Sequence, residues 1–301
     1  MVAVAAEQPP QQSVLRKALL RLEKHAYRAV MKGFRPRAGT GRFGLVEALG
    51  YGAELDHWMR YAPVVECIAT FVQSQRPGAQ TTVLDVGGGP AGLASLLRDP
   101  RCFVIALDPQ EAALGSNRAR KVVGDGCRLP VADHSIDVVV SIDSLEHVAS
   151  ERRLAFLREL DRVARGFIII HCPIDSGDQR FQGTRFDRMF QELHHRYFRC
   201  AEANTAEHLS CGLPTVELVR SVFPDVRIRG LQNGDVWLRY MIGGRRPWRR
   251  ILNGLYYAWV LKRRDGEPPF HAALMVVERP DARRANAPAA TAHDAAGRRS
   301  P

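Results

Sequence analysis

From Val83 onward the chain alternates short β-rich apolar runs with helical stretches. The runs are VLDVG, CFVIALD, KVVGD, IDVVVSI and GFIIIHCP. Such alternation predicts a parallel sheet joined by crossover helices, among them LASLLRD (93–99) and ERRLAFLRELDRVA (151–164). The second of these puts Leu154, Leu157, Leu160 and Val163 on one face. IDVVVSI (136–142) is apolar on both faces apart from its ends, as a strand buried between two helix layers must be. Two further strands are expected at VRIRGLQ and AALMVVER, after a helix at LPTVELVRSVF (213–223).

A sheet of this kind needs a sizeable core. The 301 residues supply one, with 46% hydrophobic, 25% charged and 8% aromatic residues. That composition excludes collagen, wholesale disorder and a disulfide scaffold. No window holds 18 uninterrupted apolar residues, and MVAVAAEQPPQQ lacks a basic n-region, so neither a spanning helix nor a signal peptide is expected. The expected location is the cytoplasm. Six scattered cysteines without a C-x-x-C pair agree with reduced thiols. His194, His195, Cys200, His208 and Cys211 have zinc-binding residue types at a spacing that matches no common site. They read as a His-rich loop, and no metal is expected.

The formal net charge is +11, carried by the flanks: residues 1–60 hold +5, residues 236–301 hold +8, and the middle is −2. A near-neutral middle is poor material for a nucleic-acid groove. Residues 14–31 read as an amphipathic helix, and a second helix is expected at 55–73. Together residues 1–78 form an N-terminal helical cap, 79–280 the central domain with insertions at 174–212 and 236–265, and 281–301 a disordered tail. Within the second insertion, Trp248, Ile251, Leu252, Leu255, Tyr256, Trp259 and Val260 follow helical spacing between basic clusters. This segment suits either a lid over a pocket or, through 245–264, a peripheral contact with an anionic membrane.

The chemistry concentrates where the first strand ends. Gly87, Gly89 and Gly92 lie in G-x-G-x-x-G spacing between a predicted strand and a predicted helix. Glycine permits the unusual backbone angles of such a turn, and the helix N-terminus behind it offers unpaired N–H groups to a pyrophosphate or a carboxylate. Asp108 ends the next strand, where a carboxylate can accept from both hydroxyls of an adenosine ribose. NAD and an adenosyl cofactor fit these residues equally. Asp85, just before the glycines, suits an ammonium or sulfonium better than a pyrophosphate. Asp125 is placed to accept from an exocyclic adenine amine.

Through these motifs the sequence resembles the class I S-adenosylmethionine-dependent methyltransferases, closest to the type 11 small-molecule group, over about residues 80–175. The matching pieces are Asp85-Val86-Gly87-Gly88-Gly89, Asp108, the block from Gly124 through Asp137, and Ser144 to Val148. Gly-Gly-Gly-Pro replaces the commoner G-x-G-x-G ending, which would place Pro90 at the first helical position. The resemblance implies a Rossmann-like α/β fold: a seven-stranded, mostly parallel sheet with an antiparallel last strand and helices on both faces. It implies S-adenosylmethionine as cofactor, held by Asp85, Gly87, Gly88, Gly89, Asp108, Asp125, Gly126, Ser141 and Asp143. For a hydroxyl acceptor, His147 and His171 are the candidate catalytic bases. Asp143 and Glu146 read equally as pocket residues or as charges at the start of the next helix.

The segments AEHLSCGLPTVELVRSVFP and LQNGDVWLRYM resemble bacterial methyltransferases of surface-glycan assembly, which implies a sugar or lipid-linked acceptor. Two other functions fit the same residues: an NAD-dependent Rossmann oxidoreductase, and a methyltransferase-like binding protein without turnover.

Overall fold

In the computed structural model the described residues are 55–89, 92–114, 119–243 and 264–279. The helix expected at 14–31, most of the basic 245–264 segment and the 281–301 tail lie outside them. The elements in chain order are α1 (Leu55–Ser74), β1 (Thr81–Val86), β2 (Cys102–Asp108), β3 (Arg120–Val123), β4 (Ile136–Ile142), α2 (Arg153–Val163) and β5 (Ala164–Pro173). There follow α3 (Gly183–Phe198), α4 (Ala203–Cys211), α5 (Val216–Val222), β6 (Arg227–Asn233), α6 (Gly234–Gly243) and β7 (Phe270–Glu278).

The seven strands form one sheet in the order β3-β2-β1-β4-β5-β7-β6. β1 pairs in parallel with β2 on one side and β4 on the other, so the strand order reverses direction at β1. Ligands of open α/β sheets bind outside the carboxyl ends of strands at such a switch point. β7 runs against β5: the Ile174 amide donates to His271 O at one end, and the Arg279 amide to Gly166 O at the other. IDVVVSI is β4, with Val138, Val139, Val140 and Ser141 fully buried, as its apolar run predicts.

Two expectations are corrected here. The helix predicted at 93–99 is a single 3-10 turn, Leu93–Ser95. The run between Gly92 and Pro100 is only seven residues long, and a residue before proline is biased away from helical angles, so no cooperative helix forms. The His-rich loop contains two helices, α3 and α4. Phe186, Asp187, Phe190 and His194 are buried together at helical spacing on α3, and the polar members of that stripe hide it from an apolar count.

The chain divides into two compact units. One comprises residues 63–172, 214–229 and 274–301. Its core is β1, β4 and β5 with α2, whose Phe156, Leu157, Leu160 and Val163 are buried. Each such side chain contributes roughly 1.5–3 kcal/mol. Gly166 carries no Cβ where one would meet Asp137 O at 2.5 Å, and Phe71 packs edge-on to Phe167 beside it at 4.9 Å.

The other unit comprises residues 1–62, 173–213 and 230–273. Phe186, Phe190, Trp237 and Leu238 form its apolar cluster. Asn233 caps α6, its Oδ1 accepting from the Asp235 and Val236 amides. Asp187, fully buried, bridges two imidazoles, His208 Nδ1 at 3.0 Å and His271 Nε2 at 2.8 Å. Trp237 stacks on His271 at 3.7 Å between ring centres. Burial by itself would raise the Asp187 carboxyl, but His271 and His208 together hold it below the usual carboxylate range. The pair of histidines thus fixes an ionised carboxylate inside an apolar unit.

Candidate functional site

Of the residues singled out in the sequence, Asp85, Gly87 to Gly89, Asp108, Asp143 and His147 lie at or just beyond the carboxyl ends of β1, β2 and β4. Asp125 and Gly126 follow β3, Ser141 lies within β4, and His171 is on β5. The turn after β1 is anchored backwards into the sheet: the Gly87 and Gly88 amides both donate to Leu107 O, at 2.7 and 3.2 Å. Gly87 has φ +79°, and a Cβ there would sit 2.0 Å from Ser144 Oγ. Ser144 in turn donates to Val86 O at 3.2 Å. Gly88 faces inward as well, toward Asp85 and Ala106. Gly89 behaves differently. At φ +51° its Cβ would meet nothing among the described residues nearer than Gly87 O at 4.0 Å, so the turn opens to space on that side of them. The first two glycines allow tight packing; the third leaves a cradle that a side chain would fill.

Asp85 is 1% exposed and lies beneath the turn, where Oδ2 accepts from the Leu93 amide at 2.8 Å. The carboxylate therefore ties the far end of the loop to β1. Burial pushes its pKa up to about 6, with the Leu93 amide opposing and the nearby Asp108 charge adding to the rise. Folding thus favours the neutral acid. Its contribution to stability is complete below about pH 4 and is lost as pH climbs through 6, an amount of roughly 3 kcal/mol. Asp85→Asn should flatten this dependence. In denaturant titrations at pH 4.5 and 7.5, the stability difference between variant and wild type is expected to change by about 2–3 kcal/mol in the variant's favour at the higher pH. Parallel profiles would refute the assignment.

Asp108 closes β2 half-buried; Oδ1 accepts from the Gln110 amide at 2.9 Å, and Oδ2 has no partner among the described residues. That oxygen is available to a vicinal diol. Asp125 is already engaged. It accepts from the Cys127 amide and from the Arg152 guanidinium, which together hold its carboxyl below the usual range. Gly126 makes room for a ring, since a Cβ would lie 2.5 Å from Phe156. Ser141 is sealed within β4, its Oγ buried without a hydrogen-bond partner among the described residues.

Asp143 follows β4 at φ +48°, a conformation that needs support in a non-glycine residue. His171 supplies it twice: its carbonyl accepts from the Asp143 amide at 2.8 Å, and its Nδ1 pairs with Asp143 Oδ1 at 2.9 Å. The His171 ring is fully buried, with Nε2 lacking a partner among the described residues. His147 is half-buried in the 3-10 turn Leu145–His147, beside the fully buried Glu146. Arg153, also buried, donates to Val148 O and Glu146 O and so secures this turn. Sequence reasoning missed Ser144 as the floor of the glycine turn, Arg152 as the partner of Asp125, and Arg153.

The cradle at Gly89, the open oxygen of Asp108 and the inward carboxylate of Asp85 are groups that could hold an adenosyl cofactor carrying positive charge. A nucleotide diphosphate would meet two carboxylates there and no cation from the turn itself.

Comparison with known proteins finds similarity to methyltransferases. Residues 84–170 match the model of a methyltransferase domain family. An uncharacterized methyltransferase of Mycolicibacterium vanbaalenii is 43% identical over 94 residues, 29% of this chain and 36% of that protein. A demethylmenaquinone methyltransferase of a Mycobacterium species is 29% identical over 175 residues, 54% of this chain and 75% of that protein. The chain spans about a third of the length of the first curated relatives it matches, 35% and 36%. Among solved structures, a SAM-dependent methyltransferase of Archaeoglobus fulgidus aligns at TM-score 0.42 with 14% identity, over 75% of this chain and 99% of that one.

Proposed function

We propose, from the premise that residues 84–170 are a class I methyltransferase domain, that this chain transfers a methyl group from S-adenosylmethionine to a small-molecule acceptor. The observation that carries the reading is the paired geometry of Gly89 and Asp108: an open glycine cradle at the tip of β1 beside a carboxylate with one uncommitted oxygen at the tip of β2. The cofactor supplies an electrophilic methyl on a sulfonium, so covalent catalysis by the protein is not required. What the chain's residues do is bind and orient. Gly87 and Gly88 set the turn, Gly89 leaves the space, Asp108 accepts from the ribose hydroxyls, and Asp85 adds negative charge beneath the loop. Asp125 would reach an adenine amine only by sharing or releasing Arg152.

Of the two candidate bases, His147 is the one able to meet an acceptor. His171 is sealed and committed to Asp143, so its part is to hold the end of β4. For a hydroxyl acceptor, His147 takes the proton as the oxygen attacks. The acceptor class we favour is a sugar or lipid-linked glycan, from the sequence resemblance of the 206–241 segments.

The decisive experiment uses the cofactor product. S-adenosylhomocysteine should raise the melting temperature and NADH should leave it unchanged, while Asp85→Ala should abolish the shift. Incubating protein and labelled S-adenosylmethionine with a cell extract then identifies the acceptor. A shift with NADH alone would replace this reading by an oxidoreductase, and cofactor binding without label transfer to any fraction would favour a binding protein. His147→Gln is expected to cut transfer about 100-fold or more and leave S-adenosylhomocysteine binding intact.

A further inference from the structure

A second concavity lies in the unit that holds the glycine turn, away from that turn. It is a groove of about 380 Å³ between α1 and the sheet, floored by Phe167 of β5, Leu274 and Val276 of β7, and Ile228 of β6. This is within the range of small-molecule sites. Phe167 stands opposite Val138 in the sheet, whereas His171 stands opposite Ile142. Four residues of strand, about 13 Å, separate the two levels, so the groove sits toward the amino end of β5.

Its charge is one-sided. Among the described residues, the charged side chains lining it are Arg227 and Arg229, with no carboxylate. Arg227 is paired with Glu278 at 3.3 Å. Arg229 is exposed and has no ion-pair partner among the described residues. Its field is felt inside the groove: burial raises the Cys67 thiol there, and Arg229 is the strongest influence pulling it back, ahead of Arg227, while Glu66 pushes it up. An apolar floor with one uncompensated guanidinium complements a ligand that is a hydrocarbon chain ending in a single negative charge. Among the described residues the lining holds no second uncommitted cation, which a phosphate dianion would call for, and its one hydroxyl, that of Thr70, is spent on Glu66 O at 2.9 Å.

We propose that this groove binds a free single-chain fatty carboxylate, its chain on Phe167, Ile228, Leu274 and Val276 and its carboxylate on Arg229. The site is independent of the methyl-transfer reading and would hold an effector rather than the acceptor. The test is calorimetric titration of the full chain with dodecanoate, dodecan-1-ol and dodecyltrimethylammonium, each kept below micelle formation. One dodecanoate per chain is expected, bound at least tenfold more tightly than either of the other two. Arg229→Glu should weaken dodecanoate at least tenfold, Arg229→Lys should restore most of the loss, and Val276→Trp should block the chain. Since Arg229 is exposed, its variants test the idea even if Val276→Trp fails to fold. Absence of dodecanoate binding, equal affinity for the three probes, or affinity indifferent to Arg229→Glu each overturns the proposal. The thermal shift with S-adenosylhomocysteine should persist in the Arg229 variants, so failure here and failure of the methyltransferase reading are separately visible.

Discussion

Asp187→Ala is expected to destabilise the unit that contains it by about 3–5 kcal/mol, the cost of leaving buried polar partners without their counter-group. For a unit of this size that corresponds to a fall in melting temperature of roughly 6–20 °C in scanning calorimetry. The expectation rests on geometry: a carboxylate with no solvent exposure, two imidazoles at 2.8 and 3.0 Å, and an indole stacked over one of them. Asp187→Asn keeps the shape and one acceptor oxygen, so its loss should be smaller, about 1–2 kcal/mol. Because the Asp187 carboxyl is held below its ordinary value, its contribution is present at neutral pH and falls away as acid protonates it, and the gap between wild type and Asp187→Asn should narrow on acidification. A loss under about 1 kcal/mol for the alanine variant would mean that the bridge is not ionised.

Gly87→Ala should cost about 2–5 kcal/mol, combining an added methyl in a packed site with a left-handed backbone angle. The clash is with one side chain, Ser144, whose Oγ would lie at 2.0 Å and Cβ at 2.6 Å. A Gly87→Ala, Ser144→Gly double variant should therefore recover part of the loss, with a coupling of about 0.5–3 kcal/mol in a double-mutant cycle. Additive losses would place the strain in the backbone alone. Gly89→Ala offers the contrast. Its methyl enters open space, so folding should suffer little beyond the backbone penalty while the thermal shift with S-adenosylhomocysteine disappears. Two glycines two residues apart then separate into one that serves packing and one that serves the ligand.

The strands were legible because burial on both faces leaves a contiguous apolar run: CFVIALD, IDVVVSI and GFIIIHCP are β2, β4 and most of β5. The positions of Asp85, Gly87 and Asp108 at strand tips follow from the same alternation. α3 was illegible for the opposite reason, since its buried stripe includes Asp187 and His194, satisfied by partners on other elements that the sequence does not display. The helix expected after the glycines was lost to Pro100, whose effect on so short a run outweighs the apolar spacing of Leu93, Leu96 and Leu97. Within the site, the pairings that matter most are long-range. Ser144 reaches back 57 residues to Gly87 O, and Arg152 reaches 27 residues to Asp125. Spacing rules act over a few residues, and contacts at such separations emerge only once the sheet is assembled.

The strand order has a consequence for vectorial synthesis. Of the seven strands of this sheet β7 is the last to leave the ribosome, yet it lies between β5 and β6. Until Phe270–Glu278 emerges, β5 presents an unpaired, almost wholly apolar margin, and β6 has no neighbour to join. Nascent chains stalled before residue 270 should thus be substrates for chaperones that shield exposed strand margins, and the sheet closes in its middle only once residues 270–278 have emerged.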